Sequence, residues 1–269
     1  MDKKKFWLWG YTATEFPATI PFVSEPSYCS LETGAKYLGV DNVIYLNSMH
    51  DDKSFNEENF SLIKDKNEII CALYNQDYKS SAKQISELSK VHKNITGAVY
   101  DDFYPNAKDI EKEKSKLKEI YENLKSENSN LKLYVVRYEH SPIEEIEPYL
   151  DYIDGIIFWV WVSTDSYLRV NYLKDLEKLS KYNKILYQGI FIQNYGEIEF
   201  AKSYRINPVD PKLLNLQFEK TAEALDFGLI DGAVILQNGW FSSFAYRENL
   251  GIIKDFIAWY NGTRTFQQD

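Results

Sequence analysis

Short apolar runs alternate with polar or amphipathic segments along almost the whole chain. Each run has about the length of a strand and is rich in β-branched and aromatic residues, so it is too short for a buried helix. The runs are Phe6–Tyr11, Val43–Asn47, Glu68–Tyr74, the stretch from Ile95 to Pro105, Leu131–Arg137, Gly155–Trp161, Lys184–Phe191 and Gly232–Gln237. Near-continuous apolar strands of this kind predict a parallel sheet that is covered on both faces.

The segments between these runs carry helical spacing and helix end signals. Ser30 is placed to cap a helix over Leu31–Leu38, and Pro142 follows Ser141 as in a first helical turn. Further helices are predicted over Ser80–Val91, Asn106–Leu124, from Asp165 or Ser166 to Leu179, from Asp210 to about Gly228, and over Glu248–Tyr260. Eight strands that alternate with helices predict a single (β/α)8 TIM barrel over residues 1–269. A doubly wound open sheet is the alternative, but no G-x-G-x-x-G motif follows the first strand.

Three connections at the predicted carboxyl end of the barrel are long. They are Thr12–Ser30, Gln193–Asn207 and Asn238–Tyr246. Loops of that length in a compact domain are usually functional. Because the active sites of such barrels lie where the strands end, the candidate residues are sought at this face.

The charge of the chain narrows the classes of partner. The formal net charge is −9, and no basic stripe is interleaved with aromatic residues, which argues against a nucleic-acid partner.

No apolar run is long enough to span a membrane, and the basic start is followed by an apolar segment too short for a signal peptide. The expected location is therefore cytoplasmic, unless the chain is the processed form of a secreted protein.

Several kinds of site are disfavoured by what the strand ends lack. No glycine-rich phosphate cradle follows the seventh or eighth strand, and neither a cofactor fingerprint nor an H-E-x-x-H arrangement occurs. We therefore expect no cofactor and no resident metal. The carboxylates, amides and aromatic rings that remain point to a neutral ligand rich in hydroxyl groups, an oligosaccharide or other glycan.

Two adjacent carboxylates, Asp101 and Asp102, follow the fourth strand, and Glu139 follows the fifth. Glycoside hydrolysis needs two carboxyl groups, or one acid helped by an acetamido group of the substrate. Two close carboxylates raise the pKa of one of them, as a general acid requires. We expect Asp102 to be the acid, Asp101 its electrostatic partner and Glu139 the second carboxylate. Because side chains alternate along a strand, only one of the two aspartates should face the barrel, and the sequence does not decide which.

The remaining strand ends offer residues for binding a sugar. Arg137 is placed to orient Glu139, to bind a substrate oxygen or to pair with Asp101. Trp161 and Trp240 are predicted to form a flat aromatic surface on which a sugar ring packs. For Trp159, packing in the core is the commoner role. Amides at strand ends can bind hydroxyl groups or satisfy each other. The predicted substrate-binding residues are Arg137, Tyr11, Asn47, Tyr104, Trp159, Trp161, Gln188, Gln237, Asn238 and Trp240.

A buried strand that ends in Asp-Asp-Phe resembles the fourth strand of (β/α)8 glycoside hydrolases, including the chitinase-like group. In that group a D-x-x-D-x-D-x-E run ends the strand, and its last Glu is the acid. The run from Gly97 to Tyr104 keeps carboxylates only at Asp101 and Asp102, without a clear match to that Glu. The resemblance implies a carbohydrate-active barrel.

Three hypotheses follow from the residues. The first is a glycoside hydrolase that uses carboxylates at the rim of the barrel. The second is a non-catalytic sugar-binding barrel that keeps the aromatic rim. The third is a carboxylate-dependent lyase or isomerase in which Asp101 and Asp102 hold Mg²⁺.

Overall fold

Eight parallel strands close into a barrel in which neighbours along the chain are neighbours in space, and β8 pairs with β1. The computed structural model describes residues 5–12, 29–46, 55, 57–73, 77–194 and 207–266. The strands are β1 (Phe6–Gly10), β2 (Asn42–Tyr45), β3 (Glu68–Ala72), β4 (Ile95–Tyr100), β5 (Lys132–Tyr138), β6 (Gly155–Trp159), β7 (Ile185–Phe191) and β8 (Gly232–Leu236). The predicted (β/α)8 barrel is confirmed.

Helices follow the strands and cover the barrel. The α-helices are α1 (Leu31–Leu38), α2 (Glu57–Ile63), α3 (Tyr78–Leu88), α4 (Ile110–Leu124), α5 (Asp165–Val170), α6 (Tyr172–Ser180), α7 (Pro211–Asp226) and α8 (Arg247–Phe266). The 3-10 helices are η1 (Ile143–Tyr152), η2 (Asn238–Ser242) and η3 (Phe244–Tyr246). None of the helices in these ranges is long and apolar enough to cross a membrane.

Two predicted helices differ from the observed ones. The helix expected to run from Asp165 or Ser166 to Leu179 is divided at Asn171, whose φ of −107° is more extended than that of a regular α-helix. After β5 the chain forms the 3-10 helix η1, which contains Pro148. Proline has no N–H to donate and cannot sit in the interior of a regular α-helix, which accounts for the departure from α geometry there.

Side chains on the two faces of the strands form separate apolar clusters. The inward face is filled by large rings, among them Trp7, Trp9, Tyr134, Trp159 and Tyr187. Gly189 leaves room for one of them, because a Cβ at that position would overlap the Trp159 ring. The outward face packs against the helices. The barrel interior is therefore a packed core in which aromatic rings predominate.

The side chain of Asn238 joins the two ends of the sheet where the barrel closes. Its Oδ1 accepts a 2.9 Å hydrogen bond from the Tyr11 N–H, and its Nδ2 donates to the carbonyls of Tyr11 (3.0 Å) and Cys29 (2.6 Å). A Cβ at Gly10 would overlap this side chain. The buried amide of Asn238 thus links Tyr11, which follows β1, and Cys29, which precedes α1, to the end of β8.

Candidate functional site

The two aspartates after β4 lie beside an inward-facing tyrosine of β5. The strand ends at Tyr100, and Asp102 has a left-handed backbone with φ of 49°. The Asp102 N–H donates to Oδ1 of Asp101 at 3.0 Å, and the Tyr138 hydroxyl donates to Oδ1 of Asp102 at 2.6 Å. Tyr138 belongs to the cluster inside the barrel. Strand alternation therefore stops before Asp102, and the two carboxylates share one corner of the barrel mouth.

The surroundings of Asp101 favour its protonated form. Burial raises the pKa of Asp101 to about 7, the negative charge of Asp102 adds to the increase, and the hydrogen bond from the Asp102 N–H opposes it. A carboxylic acid with a pKa near neutrality can donate a proton under physiological conditions. Of the two aspartates, it is Asp101 for which the surroundings raise the pKa, whereas the sequence favoured Asp102 as the acid.

The two tyrosines next to the pair remain protonated donors. Tyr104 is exposed as a residue, but partial burial of its hydroxyl and the charge of Asp102 raise its pKa to about 12. Burial raises the pKa of Tyr138 as well, and the charges of Asp101 and Asp102 and the hydrogen bond to Asp102 raise it further. Tyr138 was not among the predicted site residues. Its inward position as the last residue of β5, directly before Glu139, is the signal that could have identified it.

Glu139 binds the backbone at the exit of β6. Its Oε2 accepts a 2.7 Å hydrogen bond from the Trp161 N–H, and its Oε1 accepts a 3.0 Å bond from the Val162 N–H. His140 approaches the same carboxylate, with Nδ1 3.6 Å from Oε2. The side chain of Glu139 is 11% exposed. These contacts explain why β6 ends at Trp159 rather than at the predicted Trp161.

Arg137 lies on the outward side of β5, opposite to Tyr138. Its Nη1 donates to the Phe103 carbonyl at 2.9 Å, and its Nη2 donates to the Pro142 carbonyl (3.2 Å) and to Oε2 of Glu145 (3.0 Å). The guanidinium is almost completely buried. Its ion-pair partner is Glu145, not Asp101, and it contacts neither aspartate directly. Arg137 therefore connects the loop that carries the aspartates to η1.

Four rings, Tyr104, Tyr138, His140 and Trp161, form an aromatic wall next to the aspartates. The planes of Tyr104 and Tyr138 differ by 11° at a centroid distance of 5.7 Å, and those of Tyr138 and His140 differ by 10° at 5.4 Å. Trp161 meets the edge of Tyr138 at 88°. Tyr104 and His140 are exposed and Trp161 is half-buried. The aromatic wall thus presents ring surface to solvent beside two carboxylates.

The other predicted tryptophans and Tyr11 are buried. Trp159 packs inside the barrel against Phe191, at 4.6 Å between centroids. Trp240 is 1% exposed and packs against Tyr246 on the outer side of the barrel. Tyr11 belongs to the same outer cluster. The structure therefore brings Trp161, but not Trp240, to the aromatic wall.

The predicted amides occupy three different environments. Gln188 is on the outward side of β7, where its Oε1 accepts a 2.6 Å bond from the Thr221 hydroxyl. Gln237 follows β8 after a cis peptide bond, and its buried Oε1 has no partner among the described residues. Gln193, two residues beyond the inward-facing Phe191, is buried, and neither of its amide atoms has a partner within the described part of the chain. Asn47 lies outside the described residues.

Within the described ranges, no group of three or more His, Cys, Asp or Glu side chains is arranged to hold a metal ion. The candidate site consists of the aspartate pair, Tyr138, Glu139 and the rest of the aromatic wall. Gln193 and Gln237 follow β7 and β8 at the same end of the barrel, and both amide atoms of Gln193 and Oε1 of Gln237 have no partner among the described residues. These groups can supply a proton, a negative charge, ring faces and hydrogen bonds.

Comparisons with known proteins relate the chain to solved barrels. No protein-family model matches it, and no curated protein matches it in sequence. The GH99 endo-α-mannosidase from Bacteroides thetaiotaomicron superposes with a TM-score of 0.66 over 99% of both chains at 9% identity. A putative α-L-fucosidase from the same organism superposes with a TM-score of 0.62 over 96% of both chains at 12% identity.

Barrels of other activities match as well. A chain of the tryptophan synthase α2β2 complex from Pyrococcus furiosus gives a TM-score of 0.50 at 12% identity, over 95% of this chain and 97% of that one. The structural neighbours are nevertheless mainly glycoside hydrolases. At such low identity the likeness shows the fold alone, and this fold is the (β/α)8 barrel that many of these hydrolases share.

Proposed function

We propose that the protein is a glycoside hydrolase in which Asp101 donates a proton to the glycosidic oxygen. The observation that carries the proposal is the aspartate pair at the end of β4, where burial and the neighbouring Asp102 raise the pKa of Asp101 to about 7. Asp102, held by the Tyr138 hydroxyl, supplies negative charge beside the acid. Two carboxyl groups in different protonation states are what this reaction requires.

Hydrolysis also needs a second group that acts as nucleophile or base. This group is either Glu139 or part of the substrate. In one route Glu139 acts as the nucleophile or base, although both of its oxygens already accept backbone hydrogen bonds. In the other route an acetamido group of the sugar attacks the anomeric carbon, and Asp102 orients that group. A substrate panel that contains matched sugars with and without the acetamido group separates the two routes.

Two further features support a glycan as the ligand. The exposed rings of the aromatic wall offer apolar faces of the kind on which sugar rings pack. The buried amide groups of Gln193 and Gln237 have unmet hydrogen-bonding capacity among the described residues, which sugar hydroxyls would satisfy. The prevalence of glycoside hydrolases among the structural neighbours agrees with this class of ligand.

The test compares turnover of a panel of aryl glycosides and oligosaccharides by the wild type and by Asp101→Asn and Asp102→Asn. General acid catalysis typically accelerates a reaction by a factor of about 10² to 10⁴. The kcat of each variant should therefore fall at least about a hundredfold, while its unfolding temperature stays close to that of the wild type. Asp165→Asn is the matched control, since that aspartate is exposed on α5 and forms a surface ion pair with Arg169.

Three outcomes contradict the proposal. Unchanged turnover in both aspartate variants would remove the pair from catalysis. Saturable glycan binding with no hydrolysis of any sugar would favour the binding barrel. Turnover that appears only when Mg²⁺ is added, together with a Mg²⁺-dependent rise in the unfolding temperature, would favour the lyase or isomerase.

A further inference from the structure

A cavity lies at the same end of the barrel as the aspartate pair, on the side of β1 and β8. It is about 410 Å³ in volume and is formed between one side of α1 and the segment that runs from η2 into α8. Its lining residues include Thr33, Tyr37, Phe241 and Arg247 and share none with the aspartate site. Cavities of this volume are typical of small-molecule sites.

Arg247 lies exposed at the start of α8 and contacts Phe244, which is also exposed, at the edge of this cavity. Its guanidinium carbon is 3.8 Å from the centroid of the Phe244 ring, and its Nη1 donates to the Phe244 carbonyl at 2.9 Å. Arg137 and Arg169 form ion pairs with Glu145 and Asp165, whereas no described carboxylate pairs with Arg247. A stacked guanidinium loses little further freedom when it binds an anion, and its planar fork fits a carboxylate.

The rest of the lining offers no competing negative charge. Burial raises the pKa of the Cys29 thiol to about 11, so that this group is neutral at pH 7. The other lining groups are hydroxyls, such as those of Thr33 and Ser242, and apolar or aromatic side chains. Lys254 adds a second positive charge nearby, with Nζ 4.6 Å from the centroid of the Tyr37 ring. Arg247 is therefore the one charged side chain among the described residues that line this cavity.

We propose that this cavity binds a small organic carboxylate with an aromatic or apolar body. The carboxylate pairs with Arg247, and the body packs against Tyr37 and Phe241, whose rings meet edge to face at a centroid distance of 6.3 Å. The site is independent of the aspartate pair. Its ligand class follows from one pre-positioned guanidinium, uncharged walls and a volume that suits a single ring with a short chain.

The test uses phenylacetate and its uncharged analogue phenylacetamide as probes of the full chain. Binding is measured by calorimetry and mapped by backbone amide NMR shifts. We expect phenylacetate to bind saturably and to shift the amides around Thr33 and Phe241. Phenylacetamide should bind about tenfold more weakly, because it lacks the charge-assisted pair with Arg247.

Variants separate this site from adventitious binding. Arg247→Gln should abolish the preference for phenylacetate, and Phe244→Ala should reduce it because the guanidinium loses its stacking partner. Arg169→Gln, an exposed arginine on α5, should leave binding unchanged. Equal affinity for the two probes, unaltered binding in Arg247→Gln, shifts confined to the aspartate site, or no saturable binding would each overturn the proposal.

Discussion

The hydroxyl of Tyr138 donates a 2.6 Å hydrogen bond to Oδ1 of Asp102 and so joins the end of β5 to the loop after β4. The two residues are 36 positions apart in the sequence. A hydrogen bond to an ionised carboxylate is shorter and stronger than one between neutral groups. The contact holds the Asp102 carboxylate at the barrel mouth, next to Asp101.

Replacement of Tyr138 by Phe should reduce catalysis more than stability. The variant removes one donor to Asp102 and keeps the ring in the aromatic wall, so kcat should fall about tenfold, or roughly 1.4 kcal/mol in activation free energy. Tyr134→Phe is the matched control, because Tyr134 lies on the same face of β5 and stacks on Tyr187, at 5.4 Å between centroids. Equal losses of kcat in the two variants would show that the hydroxyl of Tyr138 has no specific role.

The pH profile of activity should depend on Asp101. If Asp101 is the acid, kcat falls as the pH rises through about 7, because the proton that it must donate is lost. Asp101→Asn should remove this basic limb along with most of the activity. A basic limb that survives unchanged in the residual activity of Asp101→Asn would assign the titration to another group.

Asp101 should also make folding stability depend on pH. Its pKa is about 7 in the folded protein against a reference value of 3.8, so the folded state binds more protons between these values. The free energy of unfolding should therefore decrease as the pH rises from about 4 to about 7. Above about pH 7, Asp101 should no longer make the free energy of unfolding depend on pH. Urea titrations should show a shallower decrease for Asp101→Asn. An identical slope in wild type and variant would mean that Asp101 titrates normally.

Replacement of Arg137 by Met should destabilise the protein by about 3 kcal/mol. The variant leaves the carbonyls of Phe103 and Pro142 without their donor and Glu145 without its partner. Because Phe103 directly follows Asp102, amide hydrogen exchange should increase at residues 101–104. Arg169→Met should change stability by less than about 0.5 kcal/mol, since that ion pair is exposed. Wild-type exchange at residues 101–104 in Arg137→Met would refute the link between Arg137 and the aspartate loop.

Two tryptophans that looked equivalent in the sequence should respond differently to truncation. Trp161 is half-buried in the aromatic wall, so Trp161→Ala should weaken glycan binding with a modest loss of stability. Trp240 is 1% exposed against Tyr246, so Trp240→Ala should cost about 3–5 kcal/mol of stability. Calorimetric binding and urea unfolding measure the two effects. Weaker glycan binding by a still-folded Trp240→Ala, with unchanged binding by Trp161→Ala, would reverse this assignment.

The sequence by itself determined the barrel and the strand after which the aspartates lie. Apolar runs and helix end signals are local properties, and their alternation leaves few ways to bury all eight strands. The run that begins at Ile95 therefore indicated both β4 and the end of the barrel at which Asp101 and Asp102 are found. Ser30 likewise caps α1, as its position before Leu31 predicted.

Only the tertiary structure decided what each polar side chain contacts. Alternation predicts direction only inside a strand, and it fails at Asp102 because the backbone turns left-handed one residue beyond Asp101. Arg137 pairs with Glu145 and the Phe103 carbonyl because it lies on the outer side of β5, where η1 and the β4 loop meet. Such contacts join residues far apart in the chain, and they depend on how elements pack rather than on any local pattern.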